Sequence, residues 1–262
     1  MNRCKLSMIV GCGLLLAGCG RNAESVTLAG STAFQPFAEK LAEEFMAKNP
    51  TANITVQGGG SAVGIQSALS GAAQIGMADL VELPADAQAL SSYVVARDGI
   101  AVVVNPANAV TNLTLVQIRG IFNGALKNWS EVGGADAPIT VVSREAGSGT
   151  RSSFEKIVQG IALTQDAIVQ DSNGTIRETV AQDANAVGYL SHGLLNDKIK
   201  AVTVAGAVCT TEAVVAGAYP LARPVFLLTK GPATGTSKAF IDYVLGAEGQ
   251  KLIADNGLIA AK

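Results

Sequence analysis

Residues 25–79 read SVTLAGSTAFQPFAEKLAEEFMAKNPTANITVQGGGSAVGIQSALSGAAQIGMAD, and the apolar spacing changes period four times along them. Ser25–Leu28 is a short apolar strand, and Pro36–Asn49 places Phe37, Leu41 and Phe45 on one helical face. Asn53–Gln57 returns to a strand, Val63–Leu69 is helical, and Gln74–Met77 is a third strand. This β-α-β-α-β order predicts an α/β fold with a mainly parallel sheet covered by helices. Gly99–Val104 continues as an unbroken apolar strand that stops at Asn105-Pro106.

A second unit begins at Leu115. Leu115–Phe122 is helical, Ile139–Ser143 a strand, and Thr150–Ile161 a helix. Asp171-Ser172-Asn173-Gly174 forms a turn and cap before a helix over Thr175–Gln182, and Val187–Leu190 is a strand. Val202–Val204 and Pro224–Thr229 follow as strands, with one terminal helix from Ser237 to Leu252. No repeat, low-complexity tract or flexible linker separates the units, so two lobes must be joined by strands that cross between them. The expected division is a first lobe of residues 25–103 with 201–262 and a second of 104–200, with a ligand in the cleft at the carboxyl ends of the strands.

Three Gly/Ser segments stand where a strand gives way to a helix: Gly30-Ser31-Thr32, Gly58-Gly59-Gly60-Ser61 and Gly147-Ser148-Gly149-Thr150. A helix N-terminus carries unpaired N–H donors and a partial positive charge, so each is a potential anion cradle. One such turn is ordinary capping; three, with Arg144 just before the last, point to a bound anion. The planar donor fork of Arg144 suits a tetrahedral oxyanion, although an ion pair with Glu145 is its simpler use. Asp79 follows the strand Gln74–Met77 and should also face the cleft, unless it only caps the next helix. A carboxylate beside anion cradles is repulsive unless the ligand brings a proton. Inorganic phosphate does so near neutral pH, and sulfate does not; an acceptor facing a missing donor rejects the analogue strongly.

Composition narrows the alternatives. The single histidine, His192, has no G-x-S-x-G serine to serve, and the Gly147–Thr150 turn lacks the lysine of a P-loop, so neither a hydrolase triad nor a nucleotide cradle is expected. One His and few cysteines exclude a usual zinc site, and no cofactor is expected. Arg3, Lys5 and the apolar run Met8–Ala17 read as a secretory signal too short for a membrane span, ending in Leu16-Ala17-Gly18-Cys19. That lipobox predicts removal of residues 1–18 and lipidation of Cys19 with acyl chains such as palmitate. Cys4 and Cys12 leave with the signal, so Cys209 is a lone buried filler and no internal disulfide forms. Loss of residues 1–18 moves the net charge from −2 to −4, and an acidic body with few aromatics argues against nucleic acid.

These residues resemble the periplasmic phosphate-binding proteins of ABC transporters, which have the two-lobed type II periplasmic-binding-protein fold. The resemblance rests on the three turns, with Ile75-Gly76-Met77-Ala78-Asp79, Asn128-Trp129-Ser130 and Ser143-Arg144-Glu145-Ala146. Tyr219-Pro220-Leu221-Ala222-Arg223-Pro224 and Phe240–Gly249 extend it. It implies a dehydrated phosphate held by Thr32, Ser61, Asp79, Arg144, Ser148, Gly149 and Thr150, with Ser31 as a further contact in the first turn. It implies no catalysis, delivery of phosphate to ABC permease subunits, and a monomer tethered to the membrane through Cys19. A receptor for sulfate, molybdate or a phosphonate, or a phosphate-sensing partner, is the alternative. Two places depart from the family. Ala146 stands where some members have an acidic residue that holds the arginine, so Glu145 or Asp79 must take that part. Thr32-Ala33 replaces a pair with a bulkier second residue.

Overall fold

The computed structural model describes residues 24–261; the signal segment and Cys19 lie outside the described residues. The first half builds β1 (Glu24–Gly30), α1 (Gln35–Lys48), β2 (Ala52–Gln57), α2 (Ser61–Ser70) and β3 (Ile75–Ala78). The long β4 (Ser91–Val104) then leads to β5 (Asn112–Leu113), α3 (Leu115–Phe122), β6 (Thr140–Arg144) and α4 (Gly149–Val158). Next come β7 (Ile168–Gln170), α5 (Asn173–Gln182), β8 (Ala186–Ser191), β9 (Lys200–Ala201), β10 (Thr203–Val204) and α6 (Thr211–Val215). The chain closes with β11 (Ala222–Thr229), α7 (Gly235–Leu245), α8 (Ala247–Asp255) and β12 (Ile259–Ala260).

Ten strands share one sheet in the order β2-β1-β3-β11-β4-β8-β6-β7, with β9 and β12 also paired to β4. The expected parallel pairs form its two flanks: β1 with β2 and β3, and β6 with β7 and β8. Its centre is antiparallel, because the returning β11 inserts between β3 and β4 and β8 runs against β4. Strand β4 belongs to both flanks. Residues 91–99 pair with β11, and residues 100–104 pair with β8. Its burial follows suit, alternating over 91–94 and then nearly continuous to Val104.

Two main cores flank this shared strand. One gathers Leu28, Phe37, Leu41, Phe45, Met77 and Phe240, and the other Val102, Phe122, Trp129, Phe154, Tyr189 and Leu221. Helix α1 enters the first through Phe37, Ala38, Leu41, Ala42 and Phe45, the stripe its spacing predicted. Helix α5 begins at Asn173, earlier than expected, because Ser172 caps it by accepting from Thr175 N–H. The expected single terminal helix is two. Gly246 is extended (ψ 169°) and ends α7, and a side chain at Gly249 would meet the Tyr243 carbonyl oxygen at 2.4 Å. The apolar period runs through the break because Phe240, Val244 and Ile253 are all buried, which hides it from a pattern reading.

Candidate anion-binding site

Each Gly/Ser segment sits at the carboxyl end of a strand. The first follows β1, the second lies between β2 and α2, and the third joins β6 to α4. Backbone geometry brings the first two together: Gly60 N–H donates to Gly30 O at 2.9 Å, and Ser31 N–H to Met77 O at 2.9 Å. Gly30 and Gly60 have φ of 133° and 87°, a region that L side chains rarely adopt. The third turn closes over them from the other half. Ala62 N–H donates to Gly147 O at 3.1 Å, and a Cβ on Gly149 would lie 2.1 Å from Ser61 Oγ and 2.7 Å from Asp79 O. Only glycine permits that approach.

Ser31, Ser61, Asp79, Arg144, Ser148 and Thr150 are all buried, and Thr32 is half-buried. Asp79 caps no helix. Its Oδ1 accepts from the Ser61 hydroxyl at 2.7 Å and its Oδ2 from Thr150 Oγ1 at 3.3 Å, and Oδ2 forms an ion pair with Arg223 Nη1 at 2.5 Å. A carboxylate offers about four lone-pair positions, about two on each oxygen, so with Ser61 on Oδ1 and Thr150 and Arg223 crowding Oδ2, Oδ1 keeps one open. The repulsion expected of a carboxylate in an anion site is relieved by Arg223, a residue with no assigned part in the sequence reading.

Arg223 is fully buried and bridges two carboxylates. Besides Asp79 Oδ2 it reaches Asp79 O at 3.1 Å through Nη1, and Asp98 Oδ2 at 3.2 Å and 2.9 Å through Nε and Nη2. Asp98 stands opposite Arg223 in the β4–β11 ladder. It also accepts from Ser191 Oγ at 2.8 Å and lies 3.4 Å from His192 Nδ1. Burial alone would push the Asp98 carboxyl up, but Arg223 and His192 together hold it below the usual carboxylate range. His192, to which the sequence reading assigns no part, packs into this network from the short 3-10 turn after β8.

Arg144 is held differently. Its Nε and Nη2 form a two-pronged pair with Glu145 at 2.8 Å each, and Nη2 also reaches Asp171 O at 3.1 Å. Of the two holders left open by Ala146, Glu145 takes the part and Asp79 does not. Arg144 Nη1 is the buried side-chain nitrogen without a hydrogen-bond partner among the described residues. A buried cationic donor left unpaired is costly, and a bound anion would satisfy it.

The hydroxyls divide into two sets. Ser61 and Thr150 donate to Asp79, and Ser61 Oγ also accepts from Asp79 N–H at 3.1 Å. Their protons are engaged, so what these residues offer an anion is main-chain N–H at the starts of α2 and α4. Ser31, Thr32 and Ser148 act locally as acceptors, which leaves each a hydroxyl proton to donate. Ser31 Oγ accepts from Phe34 N–H at 3.1 Å, Ser148 Oγ from Arg151 N–H at 3.2 Å, and Thr32 Oγ1 from Asn173 Nδ2 at 3.1 Å. Asn173, placed in a turn by the sequence reading, links the first turn to the second half and accepts from Ser191 N–H at 3.1 Å. A cavity of about 260 Å³ opens beside the cradle between α2 and the start of α4, lined by Ser61, Ala62, Ile65, Ser148 and Gly149.

Cys209 is free and buried, and burial pushes its thiol up to about 12, in keeping with a packing role. Among the described residues no helix is long and apolar enough to cross a membrane.

Residues 17–248 match the family model of a PBP superfamily domain. The chain is 39% identical over 240 residues to the phosphate-binding protein PstS of Bacillus subtilis (strain 168), covering 90% of this chain and 80% of that one. It is 26% identical over 256 residues to the phosphate-binding protein PstS of Borreliella burgdorferi, covering 92% and 91%. An X-ray structure from Clostridium perfringens, described as a phosphate ABC transporter substrate-binding protein with bound phosphate, aligns with a TM-score of 0.89 at 41% identity. That alignment covers 91% of this chain and all of the other. An ABC-type phosphate transport receptor from Vibrio cholerae aligns with a TM-score of 0.76 at 36% identity, over 89% and 99% of the two chains. With its strand order, its three converging turns and these relatives, the chain belongs to the PBP superfamily and, within it, to the PstS family of phosphate-binding proteins.

Proposed function

We propose that this chain binds inorganic phosphate between its two halves and delivers it to the permease of an ABC importer. It is a solute-binding protein and makes or breaks no bond. The observation that carries the reading is the pairing of opposites in one buried site: an unpartnered Nη1 on Arg144 and an open lone pair on Asp79 Oδ1. The first suits an oxyanion, and the second suits one that still carries a proton. Phosphate has both properties near neutral pH, whereas sulfate has only the first.

In this reading the anion accepts from Arg144, from the hydroxyls of Ser31, Thr32 and Ser148, and from the first-turn N–H groups of Ser61, Gly149 and Thr150. It donates to Asp79. The binding unit consists of two lobes divided near Gly99 and Leu221, not at 103 and 201, because the buried apolar residues of 100–104 and 202–221 pack in one core with Phe122 and Tyr189. The lobes close by hinge motion because phosphate contacts both. The protein works outside the cytoplasm as a monomer. Lipidated Cys19 tethers it to the membrane, with more than one acyl chain because a single chain binds only marginally.

Calorimetric titration of anion-stripped protein at neutral pH tests the ligand. The expected result is tight one-to-one binding of phosphate and no heat with sulfate. Equal heats from both anions would contradict the part given to Asp79, and silence with phosphate would contradict the reading as a whole.

A further inference from the structure

We infer that Arg223 is the positioning residue that makes the site selective, by clamping Asp79 as a fixed acceptor. It does not touch the anion in this account; it acts through Asp79. The inference rests on the phosphate reading above and adds a residue to it.

The clamp has two jaws. Nη1 of Arg223 holds Asp79 by its side chain (Oδ2, 2.5 Å) and by its main chain (O, 3.1 Å), so both the carboxylate and its stem are fixed. The remaining edge of the guanidinium is fastened to Asp98 through Nε and Nη2. Asp98 lies in β4 next to Gly99, where the strand passes from its pairing with β11 to its pairing with β8. It is further tied to Ser191 and His192 at the end of β8. The acceptor is therefore anchored to the central strands of the sheet, although Asp79 itself stands in the loop after β3.

The other two donors to Asp79 cannot do this alone. Ser61 and Thr150 hydroxyls rotate, and each can accept as readily as donate. An Asp79 held only by them can turn its open lone pair away from the ligand or draw a hydroxyl proton off toward another acceptor. The planar guanidinium, with its own second carboxylate, removes that freedom. Selectivity against an anion without a proton depends on the acceptor staying where the donor is missing.

The test replaces Arg223 by Gln in the full chain and measures phosphate and sulfate affinities by calorimetry and competition. Wild-type protein is measured alongside, and its failure to bind phosphate would sink the underlying reading instead. Arg223→Gln is expected to lower phosphate affinity at least about tenfold while changing sulfate affinity much less, so the preference narrows. Equal fold losses for both anions, with sulfate too weak for calorimetry read by its competition against phosphate, would make Arg223 merely structural and overturn the inference. The variant leaves Asp98 short of its partner, so Arg223→Gln with Asp98→Asn is made in parallel to remove the uncompensated charge. This double variant should fold and show the same narrowed preference. Recovery of full preference in it would overturn the inference, as would failure of both variants to fold, which would place Arg223 in folding alone.

Discussion

Two buried arginines flank the same cradle and are treated in opposite ways. Arg144, at the end of β6, is paired with the half-exposed Glu145 and keeps one nitrogen without a partner. Arg223, in β11, is paired with two carboxylates as buried as itself, and every one of its nitrogens is engaged. The contrast teaches that the residue type says little by itself. In the phosphate reading the arginine with a donor in hand meets the ligand, and the one whose donors are all matched belongs to the framework that aims the ligand's other contacts.

The comparison can be broken most sharply through stability. Removing one partner from a fully buried ion pair costs about 3–5 kcal/mol, so Arg223→Gln should shift urea unfolding by an amount of that order. Arg144→Gln, whose partner Glu145 is part-exposed, should shift the same curve far less. Equal shifts would mean that the two arginines share one role. Binding should reverse the order of damage. Loss of the charge-assisted bond from Arg144, about 1.5–3 kcal/mol, predicts roughly a 10- to 150-fold fall in phosphate affinity by calorimetry.

The place of Arg144 at the cradle is legible in the sequence because it is set locally, three residues before a Gly-Ser-Gly turn at the end of an apolar strand. Asp79 was legible for the same reason, and so were the strands and helices of residues 25–79. Arg223 was not, because its partners lie 144 and 125 residues away along the chain and meet it only through the antiparallel β11. The antiparallel centre of the sheet is not legible in the sequence on similar grounds, since strand order depends on where β11 returns. The first half of β4 lacks a continuous apolar run because Ser92 and Arg97 are polar and exposed. The division of the hydroxyls into those that hold Asp79 and those left to donate has no counterpart in sequence, since Ser61 and Ser148 look alike there.

A smaller effect sharpens the contrast from the side of the third turn. A methyl group on Gly149 would meet Ser61 Oγ at 2.1 Å and Asp79 O at 2.7 Å, so Gly149→Ala should hold the two halves apart. Phosphate affinity should fall roughly tenfold or more, with little loss of thermal stability, because each core remains packed. A variant with unchanged affinity would show that the close approach of Gly149 to Asp79 is not needed for binding.

The smallest expected effect concerns acid. The Asp98 carboxyl is held below its usual range in the folded protein, so its ion pair adds stability that is complete above about pH 3.9 and lost as pH falls further. Asp98→Asn should therefore flatten the decline of the urea midpoint below about pH 4. An unchanged acid slope would separate Asp98 from the Arg223 network.

If Asp79 selects phosphate by accepting a hydrogen bond from the proton that phosphate keeps near neutral pH, Asp79→Asn is the variant that shows it most directly. The asparagine keeps the shape and gains an N–H₂ donor, so titration at neutral pH should show weaker phosphate binding and newly measurable sulfate binding. Phosphate and sulfate affinities both unchanged from wild type would contradict the account.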